Sequence, residues 1–119
     1  MKDTITYPAF VTALTKKGED ILKTLTPEKC HLQHMAMGIS GEAGEVLDEI
    51  KKHVAYDKPL NLTKVIKELG DVEFYLEGLR QGLGITREMI IVENEVKLSE
   101  RYSSGTYSDQ QAISRKDIS

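Results

Sequence analysis

Apolar side chains recur every three or four residues along most of the chain, which is the spacing of one face of an α-helix. The longest stripe follows Thr26-Pro27-Glu28, where a capping hydroxyl, a proline at the first helical position and an acid in the first turn mark a helix start. Its members are Leu32, Met35, Ala36, Ile39, Ala43, Val46, Leu47, Ile50 and Val54. The stripe predicts a helix that ends near His53-Val54, before Pro59.

One further helix is predicted before this one, and two more are predicted after it. The first opens at Tyr7-Pro8, with proline near its first position, and continues to Ile21, although Gly18 weakens its middle. The last is capped by Thr86 and extends from about residue 87 to 102. It carries apolar residues on two sides, which suggests burial on both.

Between them, Asn61 or Thr63 is placed to cap another helix, which Gly82 and Gly84 are expected to stop. Beyond the helical core, at about residues 7–102, a polar loop and tail at 103–119 are expected to hold little regular structure. No segment alternates strictly between apolar and polar residues, as a half-buried strand would. The sequence therefore predicts one all-α domain over residues 1–119, a four-helix bundle built on its second to fourth helices.

Composition narrows the classes of function. The chain of 119 residues has a formal net charge of -3, which gives no support to generic nucleic-acid binding. Its one cysteine, Cys30, cannot form an internal disulfide and is expected to be a small core residue in a reducing compartment. The first six residues lack the apolar run of a signal peptide, and no stretch has membrane-spanning length. We expect a cytoplasmic protein that binds no membrane.

Three glycines interrupt the long second helix, although each costs about 1 kcal/mol relative to alanine in a helix interior. Gly38 and Gly41 lie on the acidic side of the helical wheel, where we expect them to leave room for a ligand. Gly44 lies on the other flank, where it is expected to serve helix packing.

Paired acids occur at the same offset from the apolar stripe on two helices. Glu42 and Glu45 are three residues apart on the second helix, as are Glu68 and Asp71 on the third. If the helices pack antiparallel, as their short connection favours, these four carboxylates converge at the edge of the core. Ligands that are all oxygen favour Mg²⁺, with Mn²⁺ as a substitute, over zinc. Alternatively, each pair is an ordinary solvated face.

The fourth helix carries complementary groups. Asn94, Lys97 and Arg101 follow at spacings of three and four, so two cations and an amide share a face that suits a polyphosphate. Ordinary surface contacts of these cations with neighbouring glutamates are the alternative. Gln33 and His34 precede the glycines, and they either line a nucleobase pocket or are surface polar groups.

Three motifs together resemble the MazG family of all-α nucleoside triphosphate pyrophosphohydrolases. They are Gly41-Glu42-Ala43-Gly44-Glu45, then Glu68-Leu69-Gly70-Asp71-Val72 followed by Phe74-Tyr75, and residues 94–102. The similarity extends over about residues 33–107. The tail, with Arg115-Lys116-Asp117, resembles a compact single-domain branch that phages often carry, which would place the protein in the host cytoplasm.

The resemblance implies a magnesium-dependent hydrolysis of nucleoside triphosphates to monophosphates and pyrophosphate. It implies metal ligands at Glu42, Glu45, Glu68 and Asp71, and triphosphate contacts at Asn94, Lys97 and Arg101. The expected catalytic residues are Glu45, as the carboxylate that orients the attacking water, and Lys97. The resemblance also implies a homodimer or homotetramer with composite sites. The alternative is a non-catalytic helical module that binds nucleotides or joins an oligomer.

Overall fold

The structure is a computed structural model that describes residues 4–118. Residues 1–3 and Ser119 lie outside the described residues. The expectation of no signal peptide in the first six residues, and the ends of the predicted domain at 1–119, therefore fall partly on residues that are not described. The described helices are α1 (Tyr7–Leu14), α2 (Gly18–Thr24), α3 (Pro27–Ala55), α4 (Leu62–Leu83), α5 (Arg87–Arg101) and α6 (Asp109–Ser114). No strand occurs among residues 4–118, so the predicted all-α class is confirmed.

The two longest helices begin and end close to the positions predicted from local signals. The Thr26 hydroxyl accepts a hydrogen bond from the Lys29 N–H at 3.1 Å and caps α3. Asn61, rather than Thr63, caps α4, because its side-chain oxygen accepts from the Lys64 N–H at 3.1 Å. Gly84 ends α4 in the left-handed region at φ 68°, whereas Gly82, also expected to stop the helix, lies inside it.

The helices α3 and α4 pack antiparallel along their length and form the main contact of the chain, the α3–α4 hairpin. Side chains meet in a regular order: Glu49 contacts Lys64 near the connecting loop, and Glu42 lies beside Asp71. Further along, Gly38 faces the ring of Tyr75 and Gly78 faces Met35. At the open end, His31 Nε2 lies 2.9 Å from the Gly78 carbonyl oxygen.

The single helix predicted at the start of the chain is wrong, since the structure has two short helices there. The backbone is extended at Thr15, which ends α1, and at Lys17, which precedes α2. The Thr15 hydroxyl donates to the Val11 carbonyl at 2.7 Å and satisfies part of the exposed helix end. Gly18 becomes the first residue of α2, so it avoids the cost of a glycine in a helix interior.

The tail contains the short helix α6, which the expectation of little regular structure there did not include. Ser108 caps this helix by accepting from the Gln111 N–H at 3.0 Å, and α6 contacts the end of α5. The prediction that Cys30 is a core residue is also wrong, because Cys30 is exposed.

The chain is extended as a whole, with a radius of gyration of 20.6 Å. Among the described residues, α3 packs on α4 and α5 contacts α6, while contacts between other helices are sparse. The predicted packing of the last long helix onto α3 and α4 is therefore not seen within one chain. Within the part of the chain that the structure describes, only Met35 and Val65 are buried apolar residues. Among residues 4–118, no helix has both the length and the apolar character needed to cross a membrane.

Candidate metal centre

One carboxylate of α3 and two of α4 meet at the middle of the α3–α4 hairpin. Oxygen atoms of Glu42, Glu68 and Asp71 all lie within 4.8 Å of one another, and we call these three residues the acidic cluster. Glu42 and Glu68 are half-buried, whereas Asp71 is exposed. The cluster thus combines partial desolvation with an opening to solvent.

The electrostatics of the acidic cluster are unfavourable for three ionised groups. Partial burial of Glu42 is the main cause that raises the pKa of its carboxyl above the usual 4.5. The nearby charges of Asp71 and Glu68 raise the pKa further, as do a hydrogen bond with Glu68 and the charge of Glu45. Protons or a bound cation would relieve this repulsion.

The donor set of the acidic cluster fits Mg²⁺. Ligand oxygens lie about 2.1 Å from an octahedral Mg²⁺, so two of them are at most about 4.2 Å apart. The oxygens of the acidic cluster all lie within 4.8 Å of one another, so a cation that binds them would draw the three side chains closer together. All three donors are carboxylate oxygens, which Mg²⁺ and Mn²⁺ prefer over softer ligands.

Glu45 is the fourth predicted ligand, and it lies outside the acidic cluster. Its side chain is exposed one turn beyond Glu42 on α3. The charge of Glu45 still contributes to the raised pKa of Glu42, so the two carboxylates are neighbours. The structure therefore brings together three of the four predicted ligands and leaves the fourth beside them.

Two of the three glycines of α3 do not have the surroundings that the helical wheel predicts for them. A side chain at Gly38 would overlap the ring of Tyr75, so Gly38 allows close packing of α3 on α4 rather than space for a ligand. Gly41 and Gly44 both face open space, with no atom within 4 Å of an added Cβ. Gly41 thus keeps its expected opening beside Glu42, while Gly44 packs against nothing in the described chain.

The predicted nucleobase residues lie further along α3. Gln33 and His34 are both exposed. The ring of His34 meets the ring of Tyr75 edge to face, with 6.1 Å between the ring centroids. Tyr75 in turn contacts Phe74 edge to face at 5.2 Å. A small aromatic surface therefore adjoins His34 on the α3–α4 hairpin.

The predicted phosphate-binding residues are on α5, away from the α3–α4 packing. Asn94 and Lys97 are exposed and line a shallow groove on this helix with Asp117. Arg101 forms a salt bridge with Asp117, a partner that local sequence patterns do not reveal. Among residues 4–118, no hydrogen bond or salt bridge joins these three side chains to the acidic cluster.

Glu49 is a buried carboxylate whose contacts within the hairpin the sequence did not predict. It lies two turns after Glu42 on α3, and its side chain is only 8% exposed. Lys64 of α4 contacts it at 3.0 Å and Lys52 at 3.3 Å. The hydrogen bond from Lys64 is the main cause that lowers the pKa of Glu49, so this glutamate is a structural anion and not a spare ligand.

Comparisons with protein-family models, curated proteins and solved structures found no match for this chain. The resemblance to MazG therefore rests on the three motifs in the sequence.

Proposed function

We propose that this chain is a magnesium-dependent nucleoside triphosphate pyrophosphohydrolase of the MazG type, active in control of the nucleotide pool. The observation that carries the proposal is the acidic cluster, in which Glu42, Glu68 and Asp71 converge from two helices. Residues that the MazG resemblance assigns to metal thus lie together in space. A purely solvated acidic face would not require carboxylates from two helices to share one place.

In this proposal Glu42, Glu68 and Asp71 hold Mg²⁺, with Glu45 as an additional ligand and Mn²⁺ as a substitute. The cation, when bound, lowers the pKa of water and offsets negative charge on the phosphates. Glu45, exposed beside the cluster, orients the attacking water and accepts its proton. The water oxygen bonds to the α-phosphorus while the bond to the bridging oxygen breaks, and pyrophosphate leaves.

The phosphate chain is assigned to α5 and the base to α3. Lys97 and Arg101 supply positive charge to the triphosphate, and Asn94 supplies an amide donor. Gln33 and His34 are the proposed base contacts, beside the aromatic surface of Tyr75.

We further propose that the working protein is a homodimer or homotetramer. Large apolar side chains are exposed on the α3–α4 hairpin and on α5, including Leu47 at 67%, Phe74 at 67% and Val92 at 58%. A second chain that covers these faces would allow α5 of one protomer to approach the acidic cluster of its partner. The site would then be composite.

The assay that tests the function incubates the full chain with Mg²⁺ and each common ribo- and deoxyribonucleoside triphosphate and measures pyrophosphate. We expect release from at least one of them, and its loss in Glu42→Gln and Asp71→Asn. Mutation of a residue that only orients a metal ligand typically lowers metal affinity or activity by about 10- to 100-fold. Loss of a ligand itself should therefore lower kcat/KM by at least about 100-fold.

Glu95→Gln is the matched control, because Glu95 is an exposed acid on α5 outside the acidic cluster, and it should retain activity. Absence of pyrophosphate with every nucleotide, or unchanged turnover in Glu42→Gln and Asp71→Asn, would refute the enzyme. Nucleotide binding without turnover would instead support the non-catalytic module.

A further inference from the structure

The end of the chain folds back on α5 through one two-point salt bridge. Arg101 donates from Nε to Asp117 Oδ1 at 2.7 Å and from Nη2 to Oδ2 at 2.9 Å. The Asp117 side chain is fully buried, and that of Arg101 is 17% exposed. Two parallel charge-assisted hydrogen bonds fix the plane of the guanidinium as well as its position.

Other contacts hold the tail in place independently of this salt bridge. The rings of Tyr102 and Tyr107 lie 5.6 Å apart between their centroids. Gln111 accepts a hydrogen bond from the Ser104 hydroxyl at 3.2 Å and donates one to the Ser103 hydroxyl at 3.1 Å. The segment that carries Asp117 is therefore anchored at several points before it reaches Arg101.

The salt bridge uses only part of the guanidinium of Arg101, whose Cζ also lies 6.0 Å from the centroid of the Tyr102 ring. A guanidinium has five N–H groups, and Asp117 uses Nε and one position on Nη2, so both N–H groups of Nη1 lie outside this contact. Asp117 is ionised at neutral pH, since Arg101 lowers its pKa to about 2. Because the Asp117 side chain is buried and both of its oxygens contact Arg101, it can hold the guanidinium in one orientation.

We propose that Asp117 is a positioning residue that fixes Arg101 so that its remaining N–H groups bind a phosphate group. This inference rests on the proposed function, which assigns Arg101 to the triphosphate. Asp117 itself does not touch the substrate. A flexible arginine loses side-chain entropy when it binds, and a guanidinium already held in one orientation loses less.

The test is a double-mutant cycle on the full chain, with binding of inorganic tripolyphosphate in the presence of Mg²⁺ measured by calorimetry. We expect Asp117→Asn to weaken binding by about tenfold, as for other residues that orient a ligand-binding group. Arg101→Ala should weaken binding at least as much, and adding Asp117→Asn to it should have no further effect. An additional loss in the double variant, or tighter binding by Asp117→Asn, would overturn the proposal.

Two further variants separate positioning from folding of the tail. Asp117→Glu keeps a charged partner and should retain more affinity than Asp117→Asn; equal or lower affinity contradicts the proposal. Asp109→Asn removes a tail carboxylate that accepts from the Tyr107 hydroxyl at 2.6 Å without contacting Arg101. It should bind tripolyphosphate as the wild type does, and a tenfold loss there would show that tail order alone matters.

The outcomes also distinguish this inference from the proposed function. A coupled binding cycle without pyrophosphate release from any nucleotide would refute the function and leave the positioning role intact. Pyrophosphate release with an uncoupled cycle would refute only the positioning role. Absence of tripolyphosphate binding by the wild type would overturn it as well.

Discussion

Two glutamates on one face of α3 have opposite electrostatic surroundings. Glu42 meets the acids of α4, and burial together with those charges raises its pKa. Glu49, two turns later, meets Lys64 and Lys52, which lower its pKa. The same residue type on the same face therefore weakens the metal-free hairpin at one position and joins its helices at the other. The charges that α4 presents, acidic beside Glu42 and basic at Lys64 beside Glu49, account for much of this difference, to which Lys52 of α3 adds.

This contrast predicts how the stability of the metal-free protein depends on pH. The folded-state pKa of Glu42 lies above its usual 4.5, so the folded chain holds this proton more tightly than the unfolded chain. Stability should therefore fall as pH rises from about 4.5 through the raised pKa. Glu42→Gln removes this loss, and at neutral pH in EDTA its urea midpoint should exceed that of the wild type.

Urea unfolding at a series of pH values checks this prediction, with Glu95→Gln as the matched control. The control should follow the wild-type profile. A Glu42→Gln variant that is less stable than the wild type at neutral pH without metal would contradict the repulsion inferred for the acidic cluster.

Residue patterns could predict the members of the acidic cluster better than they could predict the partners of Glu49 and Arg101. The helical wheel places Glu42 and Glu68 beside the apolar stripe and Asp71 further round the helix, and the structure brings these three together. The partners of Glu49 and Arg101 could not be derived in this way. Lys64 reaches Glu49 only through the register of two packed helices, and Asp117 reaches Arg101 only after the chain has turned back over 16 residues.

At the scale of elements, the close packing of α3 on α4 depends on small residues at particular contact points. Gly38 lies under the ring of Tyr75, and Gly78 lies against the sulfur of Met35. The helical wheel gives the direction in which each glycine faces but not the side chain that lies opposite. It therefore predicts room for a ligand at Gly38, where the structure has a packing contact. The cost of glycine inside a helix is here offset by the close approach it permits.

Two alanine substitutions test this packing. Gly38→Ala should lower the free energy of unfolding by about 1–3 kcal/mol, because its Cβ would overlap the Tyr75 ring. Gly41→Ala, three residues away on the same helix, meets no atom within 4 Å and should raise it by about 0.5–1 kcal/mol through helix propensity. Denaturant unfolding of both variants measures the difference. Equal effects of the two substitutions would contradict the packing role of Gly38.

Strong local signals account for the elements that sequence could predict. A capping side chain and a proline fix the start of α3, and a glycine with positive φ ends α4. The break between α1 and α2 has a weaker signal, which is a stretch without apolar side chains at residues 15–20 that includes Gly18. Helix α6 escaped prediction because its polar composition hides a six-residue helix that the contact with α5 supports.

At the scale of the whole molecule, the single chain is larger than a compact domain of its length. A compact chain of 119 residues has a radius of gyration of about 14 Å, whereas this chain has 20.6 Å. Its exposed apolar residues lie on α5 as well as on the hairpin. These two features are the basis for proposing that a second copy covers both elements.

Light scattering coupled to size-exclusion chromatography tests this assembly. We expect a mass of two or four chains of 13.4 kDa, and a shift towards one chain in Val92→Asp, which places a charge on the exposed apolar face of α5. Glu95→Asp, an exposed acid on the same helix, should leave the mass unchanged. A wild type that elutes with the mass of one chain would contradict the proposed oligomer.

The antiparallel register of the α3–α4 hairpin also limits how the length of this chain can change in evolution. One residue inserted within α4 rotates everything beyond it by about 100°, which would separate Asp71 from Glu42 and Tyr75 from Gly38 together. Insertions in the loop between Tyr56 and Asn61 leave the packed faces aligned at a small entropic cost. Descendants of this sequence should therefore differ in loop length while the spacing between their acidic residues stays constant.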